Sequence, residues 1–394
     1  MVPSNICHHL PFGLKSSTMN GHRKPVCLRR RTACVMLMMA LMMLLSACVQ
    51  LTPTEEQQSS SSLTDNSGEF SPSSEPVSTP SLFEVYFSDP YDPYARSRPG
   101  YLEDILVYAI DQANSSVDVA VLNLTSDDIG EALLRAHKRG VQVRLVMESD
   151  RMDRNVPRGL IKAGVPVVGD NGDGLMHHKF MVIDGIEVWS GSMNFTESGI
   201  YRDHNNMLRI RSSRLAQNYT AEFEEMFVDG LFGADSPANT PHPQITIDGT
   251  QIENYFSPDD GVEQQLYIQI MNAEESIAVM AFAFTSDPLA AALIERAENG
   301  LEVRIIMDEE QAYSNQGGEY EHFLNEGLDV RLDANYGQMH HKVMVFDSAT
   351  VAFGSYNYSY SAETRNDENL LIIHDPALAA AYLNEFELIY ERTD

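Results

Sequence analysis

Cysteine is missing from most of the chain. All four residues, Cys7, Cys27, Cys34 and Cys48, lie in the first 48 positions. The rest can hold no internal disulfide, no thiolate metal site and no cysteine nucleophile. Basic residues are also scarce, with 27 Lys and Arg against 57 Asp and Glu in 394 residues. Six of the bases (Lys15, Arg23, Lys24, Arg29, Arg30, Arg31) precede Cys48 with no acid among them, so residues 49–394 carry 21 bases against 57 acids, a formal −36. Such a surface repels nucleic acid and anionic membranes at long range, although it leaves room for a local basic cleft. The apolar run 33–45 is too short for a comfortable transmembrane helix.

The N-terminus has the parts of an export signal: the bases Arg29-Arg30-Arg31, the short apolar run, then Leu45-Ser46-Ala47-Cys48. Ending on Cys, it resembles a bacterial lipoprotein lipobox, which implies lipidation of Cys48, export, and anchorage to the cell envelope with the rest of the chain outside the cytoplasm. The signal reads better if translation starts at Met19. Residues 1–48 are thus expected to be a signal peptide. Residues 49–81, rich in Ser, Thr, Pro and Glu, cannot bury enough apolar surface to fold and are expected to be a disordered tether.

From about residue 82 the chain says nearly the same thing twice. Tyr86-Phe87-Ser88 returns as Tyr255-Phe256-Ser257, residues 117–122 (VDVAVL) as 277–282 (IAVMAF), and Thr125-Ser126-Asp127 as Thr285-Ser286-Asp287. A period of about 160 residues is too long for a solenoid and implies two similar lobes. In the first, apolar runs at 117–122 and 143–147 read as buried strands around a helix near 128–139. Further strands are expected at 177–184, 187–190 and 206–210, and a helix near 215–227. The second half repeats this and ends in a helix near 377–391. The expected fold is α/β: lobes at 82–233 and 245–394, joined by a proline-rich linker at 234–244, each a mixed sheet flanked by helices. The lobes are expected to pack about a pseudo-two-fold axis, in a chain that works as a monomer.

One motif carries chemistry, and it too occurs twice. His177, Lys179, Asp184, Gly191, Ser192 and Asn194 recur at identical spacing as His340, Lys342, Asp347, Gly354, Ser355 and Asn357. On a strand, His and Lys two apart share a face, while His178 and His341 turn away into packing. A strand-turn-strand brings Gly-Ser-x-Asn back beside them. Two facing copies offer paired imidazoles, ammoniums, hydroxyls and amides, a set that suits a phosphodiester.

These residues resemble the paired HKD motifs of the phospholipase D superfamily in its single-chain form, over roughly residues 82–393. The resemblance implies a cofactor-free and metal-free mechanism in two steps. One His attacks phosphorus to form a phosphohistidine, and the other protonates the leaving oxygen and then activates water. It also implies that Asp184 and Asp347 tie lobes or turns rather than react. In small endonucleases of the superfamily an acid 28 positions after the motif His supports it. Here that position is Glu368 after His340 but Asn205 after His177. Glu368 is expected behind His340, raising its pKa and making it the general acid, and Asn205 behind His177, orienting it as the nucleophile.

The substrate is less legible. A lipid-anchored exported enzyme meets phospholipids constantly, and the acidic charge disfavours a nuclease that tracks a phosphate backbone, so phospholipid is the expected substrate. The rival readings are a metal-independent endonuclease of the same superfamily and a catalytically weak binding pseudoenzyme. A zinc site at the His-His pairs and a Ser192-based triad lack the ligand spacing and the nucleophile elbow that they need.

Overall fold

A computed structural model describes residues 82–393, apart from 171 and 173. The expected leader, Cys48 and the whole of the expected tether lie outside the described residues. The first sheet has seven strands: β1 (Phe83–Phe87), β2 (Ser116–Val121), β3 (Gln142–Met147), β4 (Val167–Gly169), β5 (Lys179–Ile183), β6 (Glu187–Gly191) and β7 (Asn206–Arg211), in the order β1-β7-β6-β5-β2-β3-β4. The second has eight: β8 (Gln244–Ile247), β9 (Thr250–Ser257), β10 (Ser276–Ala281), β11 (Glu302–Asp308), β12 (Asp329–Asp333), β13 (Lys342–Phe346), β14 (Thr350–Gly354) and β15 (Glu368–His374), in the order β12-β11-β10-β13-β14-β15-β9-β8. β2–β3–β4 and β10–β11–β12 are parallel, and the remaining pairings are antiparallel. The mixed sheets are the expected ones, with β8 added at one edge.

Burial on both faces explains the continuous apolar runs in the strands. In β5, Phe180 and Val182 join a central cluster, while Met181 and Ile183 face an outer one. In β13, Val343 and Val345 join the same central cluster, and Met344 and Phe346 face the outer cluster of the second lobe. The central cluster therefore contains side chains from both sheets. It is completed by Tyr219 and Phe223 of the helix Ser213–Glu224 and by Tyr382 and Phe386 of the helix Pro376–Tyr390. Among the described residues, no helix is long and apolar enough to cross a membrane.

The repeated Thr-Ser-Asp has a local cause. Ser126 and Ser286 are N-caps, accepting from the N–H of Ile129 and Leu289 at the starts of the helices Asp127–Arg139 and Asp287–Glu298. Each helix leads the chain back to a parallel strand, as a parallel crossover requires.

The lobes are sewn together at one end. Met176 bridges Asp367 in parallel, with the His177 N–H donating to the Asp367 carbonyl (3.0 Å) and the Asp367 N–H to the Leu175 carbonyl (2.9 Å). His204 bridges Met339 in the same way, its N–H donating to the Gln338 carbonyl (2.7 Å) and the His340 N–H to its own carbonyl (2.9 Å). Only glycine fits where these segments cross. A Cβ on Gly174 would lie 1.9 Å from the Arg365 carbonyl oxygen, and one on Gly337 would lie 1.8 Å from that of Arg202.

Candidate active site

The two histidines stand at the sewn end, just before the strands rather than on them: β5 begins at Lys179 and β13 at Lys342. Both histidines are 6% exposed, and both lysines are buried. Each ammonium donates to the carbonyl of its own histidine, Lys179 to His177 at 2.5 Å and Lys342 to His340 at 2.7 Å. Burial pulls the Lys179 ammonium down to about 7, although Glu368 favours its charge. Lys342 is also well below its ordinary value, through burial and then repulsion from Lys179. Two buried amines whose charge burial and mutual repulsion disfavour are what an anionic phosphoryl group between them would stabilise as ammoniums.

The group behind each imidazole corrects the sequence-based expectation. The His177 Nδ1 is 2.7 Å from Glu368 Oε2, and the His340 Nδ1 is 2.9 Å from Asn205 Oδ1. Glu368 belongs to the second copy and Asn205 to the first, so each supports the histidine of the opposite lobe. The cause is the pair of bridges across the seam. Asp367 is threaded against Met176 and His204 against Met339, which carries the next residue of each segment to the other lobe's imidazole. Both Nδ1 atoms are thereby engaged, and Nε2 is the nitrogen left for substrate on each ring.

Burial lowers the pKa of His177, while the Glu368 carboxylate pulls it back up. His340 has no carboxylate behind it. Burial, then Lys342, Lys179 and His177, hold it well below 6.5. The asymmetry foreseen between the copies exists, with its sense reversed.

The motif serines are fully buried and bind these supports rather than the cleft. Ser192 Oγ donates to Asn205 Oδ1 (2.8 Å) and Ser355 Oγ to Glu368 Oε2 (2.7 Å), and they accept from the N–H of Asn206 and Asn369. They are positioning residues. The motif glycines make that approach possible: a Cβ on Gly191 or Gly354 would lie 2.2 or 2.1 Å from the carbonyl oxygen of Asn206 or Asn369. Asn194 and Asn357 are half-buried on the loops after β6 and β14, each with a buried Oδ1 that has no partner.

Asp184 and Asp347 are not in the site. Each follows the far end of its strand, roughly 17 Å from the lysine at ~3.3 Å per residue. Asp184 accepts from the N–H of Asn114, Ser115 and Ser116, and Asp347 from those of Glu274, Glu275 and Ser276. Both residues have positive φ (54° and 51°). They fix turns within their own lobes and do not tie the lobes together.

Residues 106–227 and 266–390 match the family described as "Cardiolipin synthase, PLD-like domain". The chain belongs to this PLD-like family. The two matched stretches of this PLD-like chain are its two lobes, each carrying one copy of the motif. Among curated relatives, it is 34% identical over 135 residues to the mitochondrial cardiolipin hydrolase of Xenopus laevis (34% of this chain, 64% of that protein). It is 33% identical over 137 residues to a phospholipase D of Rickettsia prowazekii strain Madrid E (35% of this chain, 66% of that protein). The chain spans between half and two thirds of the length of such relatives. The phosphatidylserine synthase of Haemophilus influenzae Rd KW20 shares the fold, with a TM-score of 0.60 over 79% of this chain and 87% of that one at 16% identity.

Several residues of the PLD-like site escape a motif reading. His178, fully buried, bonds Glu222 Oε1 through Nε2 (2.7 Å) and receives Asn369 Nδ2 at Nδ1 (3.2 Å). Asn206 donates to His341 Nδ1 (2.9 Å), and His341 Nε2 faces Glu385 at 3.5 Å. The signal was present: Asn206 and Asn369 lie at one offset, 29, from His177 and His340, and Glu222 and Glu385 at another, 45. Phe282 packs edge-on against His340 (ring centroids 4.7 Å apart), with the Lys342 ammonium 4.6 Å over its face. Its counterpart in the first copy is Leu122.

Proposed function

We propose that this chain hydrolyses phospholipid headgroup esters, with His177 as nucleophile and His340 as general acid and then base. The observation that carries the assignment is Glu368 behind His177: the carboxylate expected to charge a general acid instead stands where it can stabilise the cationic phosphohistidine, so the roles are kept with their supports exchanged. Nδ1–H donates to the carboxylate, leaving the Nε2 lone pair free to attack phosphorus. Attack makes the ring cationic, and the carboxylate stabilises that charge through the intermediate. As the P–O bond to the headgroup breaks, the leaving oxygen takes the Nε2 proton of a cationic His340, a charge that burial and the two lysines oppose in the empty site and that the bound phosphate anion favours. His340 then takes a proton from water, whose oxygen attacks phosphorus and breaks the P–N bond. Phosphatidic acid departs, and His177 is restored. Lys179 and Lys342 hold the non-bridging oxygens. The relatives named phospholipase D and cardiolipin hydrolase support the lipid reading.

The test is choline release from phosphatidylcholine in EDTA, run beside single- and double-stranded DNA. Release that His177→Ala abolishes is expected. EDTA-resistant cutting of DNA without choline release would assign the endonuclease reading instead, and inactivity on every substrate would assign the pseudoenzyme.

We also propose, from the leader alone, that Cys48 is lipidated and that the chain is anchored on the outer side of the membrane from which it is exported. The mass of the mature N-terminal peptide tests this: an acylated Cys48 is expected, and an unmodified or retained leader would sink the idea.

A further inference from the structure

We propose that the sewn end of the molecule docks on a zwitterionic lipid surface through a ring of exposed tyrosines. The proposal rests on the phospholipid reading above and adds the surface that delivers the substrate.

The tyrosines are not scattered. Tyr94 (70% exposed), Tyr313 (64%), Tyr336 (93%) and Tyr360 (72%) are among the most exposed large side chains described, and Leu175 (43%) joins them. All five lie on connections at one end of the sheets. Tyr313 follows β11, and Tyr336 lies between β12 and His340. Tyr360 follows Asn357 after β14, and Leu175 precedes His177. Tyr94 follows β1, whose last residue, Phe87, pairs with Asn206 at the start of β7. These are the ends that the bridges Met176–Asp367 and His204–Met339 bring together around the histidines.

Such exposure costs solvation: Tyr313 packs edge-on against Tyr320, but among the described residues no ring contact holds Tyr336 or Tyr360. A tyrosine ring with an apolar body and a polar tip suits the headgroup layer of a bilayer. The two histidines are only 6% exposed, so a lipid can be reached only if its surface seats against the mouth. The charge selects the kind of surface. Residues 49–394 are strongly acidic. Three arginines at this end are already engaged, Arg96 and Arg202 by Glu197 and Arg98 by Asp92. Anionic lipid and a nucleic-acid backbone are both disfavoured, and neutral headgroups remain. The copies differ here too: the second lobe has Tyr360 three residues after Asn357, where the first has the ion-paired Glu197 three after Asn194.

The full chain supplies a clean optical test, because its single tryptophan, Trp189, is 1% exposed in the first lobe. Tyr336→Trp and Tyr360→Trp place an indole in the ring. Tyr108→Trp places one on the helix Leu102–Asp111, at a position that is also exposed (65%) but lies outside the ring. Each variant is mixed with phosphatidylcholine vesicles bearing brominated acyl chains. Indoles seated in the interface should be quenched roughly twofold or more, as for apolar groups buried at the headgroup boundary. The indole at position 108 should not be quenched, and added phosphatidylglycerol should weaken the effect. Any tethering by the N-terminal segment acts on all three variants alike. Equal quenching in all three, or quenching by a single-stranded oligonucleotide and not by vesicles, would overturn the proposal. Choline release is read in the same samples. Release without quenching rejects docking and keeps the substrate reading, whereas quenching without release rejects the substrate reading and keeps docking.

Discussion

At the scale of single residues, the consequential atoms are those behind the two imidazoles. A carboxylate and an amide bind Nδ1 at nearly the same distance, but only the carboxylate compensates a positive ring. That makes Glu368 a positioning residue for the covalent step at His177. Replacing it with an isosteric amide, Glu368→Gln, should leave lipid binding almost unchanged and lower kcat roughly 100- to 10,000-fold, the range for losing the carboxylate that orients a catalytic histidine. Rapid acid-free quenching of the wild-type chain followed by peptide mapping should place the phosphoryl adduct on His177. An adduct on His340, or a Glu368→Gln change that moves KM alone, would reverse the two roles.

At the scale of elements, each hairpin that carries a motif is fixed at both ends by different chemistry. At the catalytic end, Ser192 and Ser355 lock the supporting residues. At the far end, Asp184 and Asp347 gather three backbone N–H groups each. For Asp184, burial alone would raise the pKa, but the hydrogen bonds from Ser115, Ser116 and Asn114 win and bring it down to about 2. The folded state thus binds fewer protons here than the unfolded state between pH 2 and 4. The stabilisation is present above pH 4 and is lost as pH falls through 2. Asp184→Ala should cost about 1 kcal/mol at pH 7, comparable to losing a helix N-cap. The loss should vanish near pH 2, and kcat should be untouched at pH 7. Denaturant melts beside initial rates measure both, and a collapse of kcat with stability intact would return Asp184 to the chemistry.

At the scale of the whole molecule, the seam holds buried ionisable groups that do no catalysis. His204 of the first lobe lies 3.6 Å from Asp333 and 3.8 Å from Glu385 of the second, and neither of its ring nitrogens has a hydrogen-bond partner. Burial holds His204 and His341 near 3 and lifts Glu385 from 4.5 to about 8 and Asp333 to about 6, with Asp89 and Arg392 also acting on Glu385. Between pH 4.5 and 8 the folded chain keeps a proton on Glu385 that the unfolded chain releases. Its contribution therefore declines as pH rises across that window. Glu385→Gln should match wild type below pH 4.5 and exceed it above pH 8 by on the order of 1 kcal/mol or more. Equal stability at pH 9 would show that the carboxylate ionises freely in the fold.

The sequence by itself determined the two mixed α/β lobes, the strands of each motif and the N-capped helices between them. Those are set by local periodicity and by capping residues a few positions away, and duplication doubles each signal. It also showed that the copies differ at Asn205 and Glu368, because equal offsets can be counted along a chain. Only the tertiary structure decided which imidazole each of them serves. Glu368 and His177 are 191 positions apart and meet because Asp367 pairs with Met176 across the seam. Spacing within a copy has no bearing on a contact between copies. The same holds for Ser192 and Ser355, whose hydroxyls are turned from the cleft towards the supports by the close approach that Gly191 and Gly354 allow.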